Sequence, residues 1–311
     1  MRFLDAAQVR AALDLDALVD ELARAFVAVS QGRVSAPPRV AVEAPAVDGS
    51  LLLMGAHAHG EATITAKLVG IFPGNAERGM ATHQALVAVL DAETGAPLAL
   101  LDGEVITQAR TAAASRLATG LLASRGGRHV TEGAGRANGH VAIVGTGAQA
   151  RAHVEALRRD FPRVVIAGRR PAAARALAEE LGVEAAVDVR AAVEGAAVIC
   201  LTTSSSEPVL RREWVADGAH VNSVGFSFAG GELDPALARS AFVAVESRAA
   251  ALAPPPAGAG DLLDLPEPPA ELGELVNGTR TPPEGGITVY KSVGLAIEDD
   301  VAARVALDGA A

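Results

Sequence analysis

Residues 141–150 read Val-Ala-Ile-Val-Gly-Thr-Gly-Ala-Gln-Ala, a Gly-x-Gly-x-x-Ala turn. In a chain with 32 glycines such a match gains weight only from its setting. Here an apolar run leads into it, a helical stretch over 149–159 follows, and a second β-branched run arrives at 164–167, as a dinucleotide-binding turn requires. Gly145 then permits the tight turn, Gly147 lets the backbone approach a pyrophosphate, and Ala150 keeps helix and sheet close. The helix start offers N–H groups and the positive end of its dipole. The second run ends at Ala167-Gly168-Arg169-Arg170. A carboxylate at this point would hold a free ribose 2′-hydroxyl, whereas two guanidinium groups match a 2′-phosphate. NADP(H) is therefore expected in preference to NAD(H).

Three cations stand out because their neighbours are small and apolar. Arg110 lies in Val105-Ile-Thr-Gln-Ala-Arg110-Thr-Ala-Ala-Ala-Ser115, Lys67 in Thr65-Ala-Lys67-Leu-Val, and Arg39 follows Pro37-Pro38, which stiffen the backbone. Such side chains have little to snorkel along and must find a partner. Two outcomes are open. They converge on one substrate carboxylate, each charge-assisted hydrogen bond contributing roughly 1.5–3 kcal/mol, or each forms an internal ion pair with an Asp or Glu.

The elements that must position these groups are legible from periodicity. Apolar residues at Leu15, Leu18, Val19, Leu22, Phe26 and Val29 have helical spacing that ends near Gly32. Short runs at 40–44, 50–54, 62–72, 84–91 and 97–101 predict strands, with Asp91-Ala-Glu-Thr-Gly95 as a hairpin turn, and 103–124 predicts one long helix. This first third is expected to be an antiparallel sheet with flanking helices. Residues 125–140 lack periodicity and predict an exposed loop. Beyond them, β-branched runs at 141–144, 164–167, 183–187, 198–202, 220–224 and 242–245 alternate with helical stretches, the pattern of a parallel sheet covered on both faces. A Pro-rich stretch, 253–269, predicts a surface loop, and the chain closes with a strand at 287–290 and a helix at 295–307.

Composition narrows the class. The 311 residues suggest about two domains, and 50% are AVILMFWYC, enough for a sizeable core. A net charge of −10 argues against a phosphate-backbone binder, and 3% aromatic residues are too few for base-stacking platforms. Cys200 is the single cysteine, which excludes an intrachain disulfide and a Cys-rich zinc site. Without an N-terminal signal-type apolar core or a run of about 18 apolar residues, the expectation is a cytoplasmic protein with neither nucleic-acid nor membrane partners. His57 and His59 have no third ligand at useful spacing, so no metal site is expected and a loop or turn role is assigned to them. His83, beside Thr82, reads as a strand-edge histidine, with entry into the pocket as the other reading, and Cys200 reads as a small buried hydrophobe.

Several stretches taken together resemble the ornithine cyclodeaminase/mu-crystallin family over nearly the whole chain. They are Arg39 after the proline pair, Lys67-Leu-Val-Gly-Ile-Phe-Pro73-Gly-Asn75, Gly79-Met-Ala-Thr82-His-Gln, Leu90-Asp-Ala-Glu-Thr-Gly95, Leu101-Asp102-Gly103 and Thr107-Gln-Ala-Arg110-Thr-Ala-Ala. After the glycine turn come Val221-Asn222-Ser-Val-Gly225, Glu232-Leu-Asp234 and Lys291-Ser-Val-Gly-Leu-Ala-Ile-Glu-Asp299. The resemblance implies a homodimer built from a Rossmann dinucleotide-binding domain and an α+β substrate-binding and dimerisation domain. The expected boundaries are 123–287 for the former, and 1–122 with 288–311 for the latter. It also implies that Arg39, Lys67 and Arg110 hold the substrate carboxylate, with Thr82 and Ser227 beside it. Thr82, Ala148, Gln149, Thr203, Asn222, Ser223, Val224, Gly225, Ser292 and Val293 are expected to line the cofactor.

One departure bears on the chemistry. True cyclodeaminases carry an acid/base aspartate shortly after the glycine matching Gly225, whereas this chain reads Gly225-Phe-Ser227-Phe-Ala-Gly-Gly-Glu232. A serine hydroxyl cannot deprotonate an ammonium near neutral pH. Ser227, and Lys291 ahead of Ser292-Val-Gly294, resemble the mu-crystallin branch, whose members reduce ketimines with NADPH. The leading expectation is therefore NADPH-dependent reduction of α-imino acids or cyclic ketimines, or reductive amination of α-keto acids. Arg39 and Arg110 grip the carboxylate, and Lys67 binds it or supplies the proton; a lysine flanked by two arginines has a lowered pKa. Two other readings stand beside it: an ornithine or lysine cyclodeaminase recycling NAD internally, with Glu232 or Asp234 replacing the aspartate, and a non-catalytic NADPH- or ligand-binding protein. Phe72, Phe226 and Phe228 either border the pocket or simply pack.

Overall fold

Antiparallel strands with one buried face organise most of the first hundred residues, and buried apolar strands organise the middle. The computed structural model describes residues 1–125, 128–129, 139–225, 230–254, 258–262 and 264–310. They form two compact units, Met1–Arg110 with Gly294–Ala311 (unit 1) and Thr111–Val293 (unit 2).

Unit 1 opens with β1 (Arg2–Leu4), α1 (Ala6–Ala12) and α2 (Leu15–Ser30). It continues through β2 (Val34–Ser35), β3 (Val40–Ala44), β4 (Gly49–Ala58), β5 (Thr63–Ile71), β6 (His83–Asp91) and β7 (Pro97–Asp102) into α3 (Gly103–Leu122), within which the division falls. Asp5 and Asp14 cap α1 and α2 by accepting from the first-turn N–H groups. The sheet order is β1-β7-β6-β5-β4-β2, with β3 also on β4; β1 is parallel to β7 and the other pairs are antiparallel. The register brings Leu52 and Ala56, Thr65 and Lys67, Val87 and Val89, and Ala99 and Leu101 to one face, where all are buried. The helix Ala296–Gly309 packs across this face, and α2 packs against that helix with Leu18, Leu22 and Phe26 fully buried. The opposite face carries Phe3, Val40, Val42, Leu51, Ile64 and Leu98, all exposed. The expected hairpin turn is present: Asp91 Oδ1 accepts from Thr94 N at 2.8 Å, and Gly95 takes φ +73°.

In unit 2, β8 (Ser124–Arg125) pairs with β9 (Arg128–His129), inside the stretch expected to be a loop; residues 126–127 and 130–138 of that stretch lie outside the described residues. Strands and helices then alternate: β10 (His140–Val144), α4 (Ala148–Leu157), β11 (Val164–Ala167), α5 (Pro171–Leu181), β12 (Glu184–Ala185), α6 (Val189–Val193) and β13 (Ala196–Leu201). There follow β14 (His220–Ser223), α7 (Pro235–Ser240), β15 (Phe242–Val245), α8 (Arg248–Ala251), β16 (Ala270–Glu271), α9 (Leu272–Val276) and β17 (Thr288–Lys291), and the closing helix Ala296–Gly309 is α10. The sheet is wholly parallel, in the order β12-β11-β10-β13-β14-β17-β15-β16. Ala142 and Val144 of β10 face one apolar core while Val141 and Ile143 face another, so the sheet is covered on both sides. The strand order reverses between β10 and β13, and in open parallel sheets that crevice is where ligands bind.

Two expectations about boundaries change. β17 pairs with β14 and β15, and the later turns of α3 bond within unit 2, so the divisions lie at 110/111 and 293/294 instead of 122/123 and 287/288. The Pro-rich stretch is not all surface: Leu262 is buried in the core and Asp261 is buried beside Lys291. Residues 255–257 and 263 of it lie outside the described residues.

Candidate active site

Unit 1 brings the three cations together. Lys67 projects from the middle of β5 onto the face under α10 and is 3% exposed; Arg110 in α3 is 7% exposed. Arg39 Nη2 donates to Gly294 O at 3.0 Å. A Cβ added at Gly294 would stand 2.8 Å from Arg110 Nη1 and Nη2, so both arginines meet at that glycine, whose φ of +71° also favours the missing side chain.

Both outcomes left open for these cations bear on what is found. Lys67 Nζ donates to Asp299 Oδ1 at 3.0 Å, Arg110 Nη1 donates to Glu298 Oε2 at 3.1 Å, and Arg110 Nε lies 3.5 Å from Asp299 Oδ1. The cations converge, and two of them are also internally paired. Glu298 and Asp299 occupy the first turn of α10, where the helix dipole favours negative charge. Next to them Asp300 accepts from Thr65 Oγ1 at 2.5 Å and Thr63 Oγ1 at 3.1 Å, and pairs with Arg304, which fixes the helix over β5. Burial lowers the Lys67 pKa below the ordinary lysine range; Asp299 opposes that shift and Arg110 adds to it. Thr82 precedes β6, with Oγ1 3.1 Å from His83 Nδ1, and burial followed by the Lys67 charge lowers the His83 pKa.

Unit 2 forms the glycine turn as expected. Gly145 has φ +141°, and a Cβ there would collide with Thr202. Gly147 is the N-cap of α4 and makes no side-chain cap bond, and a Cβ on it would meet no atom within 4 Å. That open space against uncapped helix N–H groups fits a pyrophosphate. Ala148 and Gln149 begin the helix, and Ala150 is fully buried against the sheet. Arg169 and Arg170 are both exposed beyond the end of β11.

The other expected cofactor residues divide. Thr203, Ser223 and Gly225 surround one carboxylate: Glu232 Oε2 accepts from Thr203 N and Oγ1, both at 2.7 Å, and Oε1 accepts from Gly225 N at 2.6 Å and Ser223 Oγ at 3.1 Å. Val224 N donates to Leu201 O at 3.1 Å, which leads the chain from β14 into this cluster. The Asn222 side chain turns inward, donating to Thr119 Oγ1 at 2.9 Å and to Cys200 Sγ at 3.6 Å. Ser292 Oγ and Val293 N donate to Glu246, a buried carboxylate that also accepts from Tyr290 OH. Asn222 and Ser292 therefore spend their side chains on the interior. Ser227, with Phe226 and Phe228, lies outside the described residues.

Several further expectations resolve. Phe72 lies over Gly49 and Gly70, a packing role. His57 lies in β4, not in a loop, with Nδ1 2.9 Å from Thr63 O. Burial pushes the Cys200 thiol up to about 12, which suits a packed side chain and not a nucleophile. Asp234 caps α7, accepting from Ala236 N at 2.8 Å. With four donors on Glu232, neither of the carboxylates considered as a replacement acid/base is disengaged. Glu298 and Asp299 have roles that sequence reasoning missed, their only signal being membership in a quoted stretch, and Glu232, considered there as an acid/base, is instead a buried acceptor of four hydrogen bonds.

Comparison with known proteins follows the same lines. The family model described as ornithine cyclodeaminase/mu-crystallin family matches residues 1–311. Ketimine reductase mu-crystallin of Mus musculus is 36% identical over 283 residues, covering 89% of this chain and 86% of that protein. Delta(1)-pyrroline-2-carboxylate reductase of Bacillus cereus is 32% identical over 324 residues, covering 98% and 95%. The structure of Thermococcus litoralis Delta(1)-pyrroline-2-carboxylate reductase in complex with NADH and L-proline superposes with a TM-score of 0.88 at 29% identity, covering 100% of this chain and 97% of that one.

Proposed function

Because the chain belongs to the ornithine cyclodeaminase/mu-crystallin family, we propose that it is an NADPH-dependent reductase of the C=N bond in α-imino acids and cyclic ketimines. The observation that carries this reading is the cluster in unit 1, where Arg39 and Arg110 meet at Gly294 and Lys67 and Arg110 share Asp299 as a neighbour. Guanidinium and ammonium groups that converge in this way suit a substrate carboxylate. Relatives named for reducing a ketimine or a pyrroline carboxylate act on that chemistry.

The dinucleotide, held at Gly145, Gly147 and the start of α4, supplies a hydride equivalent to the imine carbon when bound. Arg39 and Arg110 would bind the substrate carboxylate and so fix the orientation of the α-carbon. Lys67 donates a proton to the imine nitrogen, the π electrons of C=N ending as the amine N–H pair, and is then reprotonated from solvent. Its lowered pKa brings the ammonium closer to the operating pH, where a general acid works best. Asp299 orients Lys67 and keeps part of its proton affinity. Arg169 and Arg170, with no carboxylate at the end of β11, favour the 2′-phosphate of NADPH. The cyclodeaminase reading is weaker because Glu232 accepts four hydrogen bonds and Asp234 serves as the cap of α7.

The apolar sheet face of unit 1 is read as the surface for a second copy, since an exposed set such as Phe3, Val40, Val42, Leu51, Ile64 and Leu98 marks an interface. The test of function is NADPH oxidation with Δ1-pyrroline-2-carboxylate, Δ1-piperideine-2-carboxylate, and pyruvate with ammonia or methylamine. Turnover is expected, with kcat/KM higher for NADPH than NADH. Ammonia release from ornithine with NAD, without net NADPH use, would establish the lyase reading instead; binding without any turnover would leave only a ligand-binding protein.

A further inference from the structure

Glu232 is 0% exposed and sits where the chain leaves two adjacent parallel strands, β13 and β14. A buried carboxylate must be compensated, and here the compensation comes from four donors on two separate segments, Thr203 after β13 and Ser223 with Gly225 at the end of β14. The segments touch closely: a Cβ on Gly225 would overlap both Thr203 O and the Glu232 carboxyl group. A cation stands one bond further out. Lys291 Nζ donates to Ser223 Oγ at 3.2 Å and to Gly225 O at 3.0 Å, and pairs with Asp261 at 3.0 Å. Glu232 is thus the common acceptor of a network that ties the ends of β13, β14 and β17 together.

Position in the sheet gives this network a use. The strand order reverses between β10 and β13, so a dinucleotide lying across the crevice puts its adenosine half over β10 and β11, near Arg169, and its nicotinamide half over β13 and β14. We infer that Glu232 is a positioning residue for the nicotinamide half: its carboxylate sets the separation of Thr203 and Gly225, and so the seat of the reactive ring, without touching the adenosine half. With both oxygens accepting two bonds each, it has no lone pair left for acid/base work.

This inference rests on the dinucleotide reading of unit 2, and the test separates the two. Glu232→Gln preserves shape but turns an NH2 group toward two donors. Calorimetric Kd values would be measured for NADPH and for 2′,5′-ADP, which carries the adenosine half alone, together with kcat and the thermal midpoint. NADPH binding is expected to weaken by about tenfold or more, in line with losing a hydrogen bond to a charged acceptor, and kcat to fall with it. The 2′,5′-ADP Kd should stay within about twofold, since that half lies beyond the reach of the lost bonds. Glu232→Asp, one methylene short but still charged, should move the NADPH to 2′,5′-ADP ratio the same way by less, and it serves if the glutamine variant does not fold. Equal weakening of both ligands would show a merely structural role and overturn the inference, as would unchanged NADPH affinity. Wild-type protein that binds neither 2′,5′-ADP nor 5′-AMP would overturn the underlying dinucleotide reading.

Discussion

Lys67 has neighbours that pull its proton affinity in opposite directions. Burial lowers its pKa most, Asp299 raises it, and Arg110 lowers it again. The protonated form is the proposed donor, so kcat must fall as pH rises through the Lys67 pKa, and that falling limb lies below the ordinary lysine range. Asp299→Asn removes the raising influence, and the limb should then move to lower pH in profiles recorded over about pH 6 to 10. Lys67→Arg, which cannot give up a proton in this range, should abolish the limb and reduce kcat by roughly 10²–10⁴. A limb that stays in place in the asparagine variant would remove Lys67 as the donor. The cations themselves were legible, because a charge amid alanines and short apolar residues needs an explanation. Their partners were not: Glu298 is 188 residues beyond Arg110 and Asp299 is 232 beyond Lys67, and no local pattern encodes such pairings.

Helix α4 shows how an element is held as well as how it begins. Its start was legible from Gly145, Gly147 and Ala150, since each answers to a local steric demand. Its lateral anchor was not: His153 Nε2 lies 2.9 Å from Ser115 Oγ of α3, and Nδ1 lies 2.7 Å from Gln149 O. Burial holds His153, and likewise His220, at a pKa of about 4. Both are neutral in the folded chain and charge on unfolding below about pH 6.5. Their contribution is fully present above that pH and is lost as pH falls toward 4, about 3 kcal/mol for each. The urea midpoint of the wild type should therefore drop between about pH 7 and pH 4.5. His153→Gln should start lower and lose less over the same interval; an equal loss would mean that this histidine is not the source. The buried Asp261 and Leu262 were invisible for a related reason, because a proline-rich composition signals a loop without saying where that loop packs.

At the scale of the molecule, the switch from an antiparallel to a parallel sheet was readable from strand rhythm alone. The unit boundaries moved by several residues because β17 joins the parallel sheet, a tertiary choice among equally plausible partners. The apolar outer face of β1, β3, β4, β5 and β7 was not distinguishable from core in sequence, since both read as alternating hydrophobic residues. Val42→Lys with Leu51→Lys puts two charges on neighbouring strands of that face. Sedimentation should then report a smaller species than the wild type with unchanged circular dichroism, and a double variant that sediments like the wild type would overturn the proposed contact at this face. Unit 1 also has an unusual relation to time. Its helix α10 is made after unit 2, so a ribosome adds Arg110 some 188 residues before Glu298, roughly 10 to 40 seconds earlier at ordinary elongation rates. The whole of the inserted unit, Thr111–Val293, is made within that interval, while Lys67 and Arg110 wait for Asp299 and Glu298. Maturation therefore runs from the middle outward, and Lys67 and Arg110 meet Asp299 and Glu298 only after unit 2 has been made.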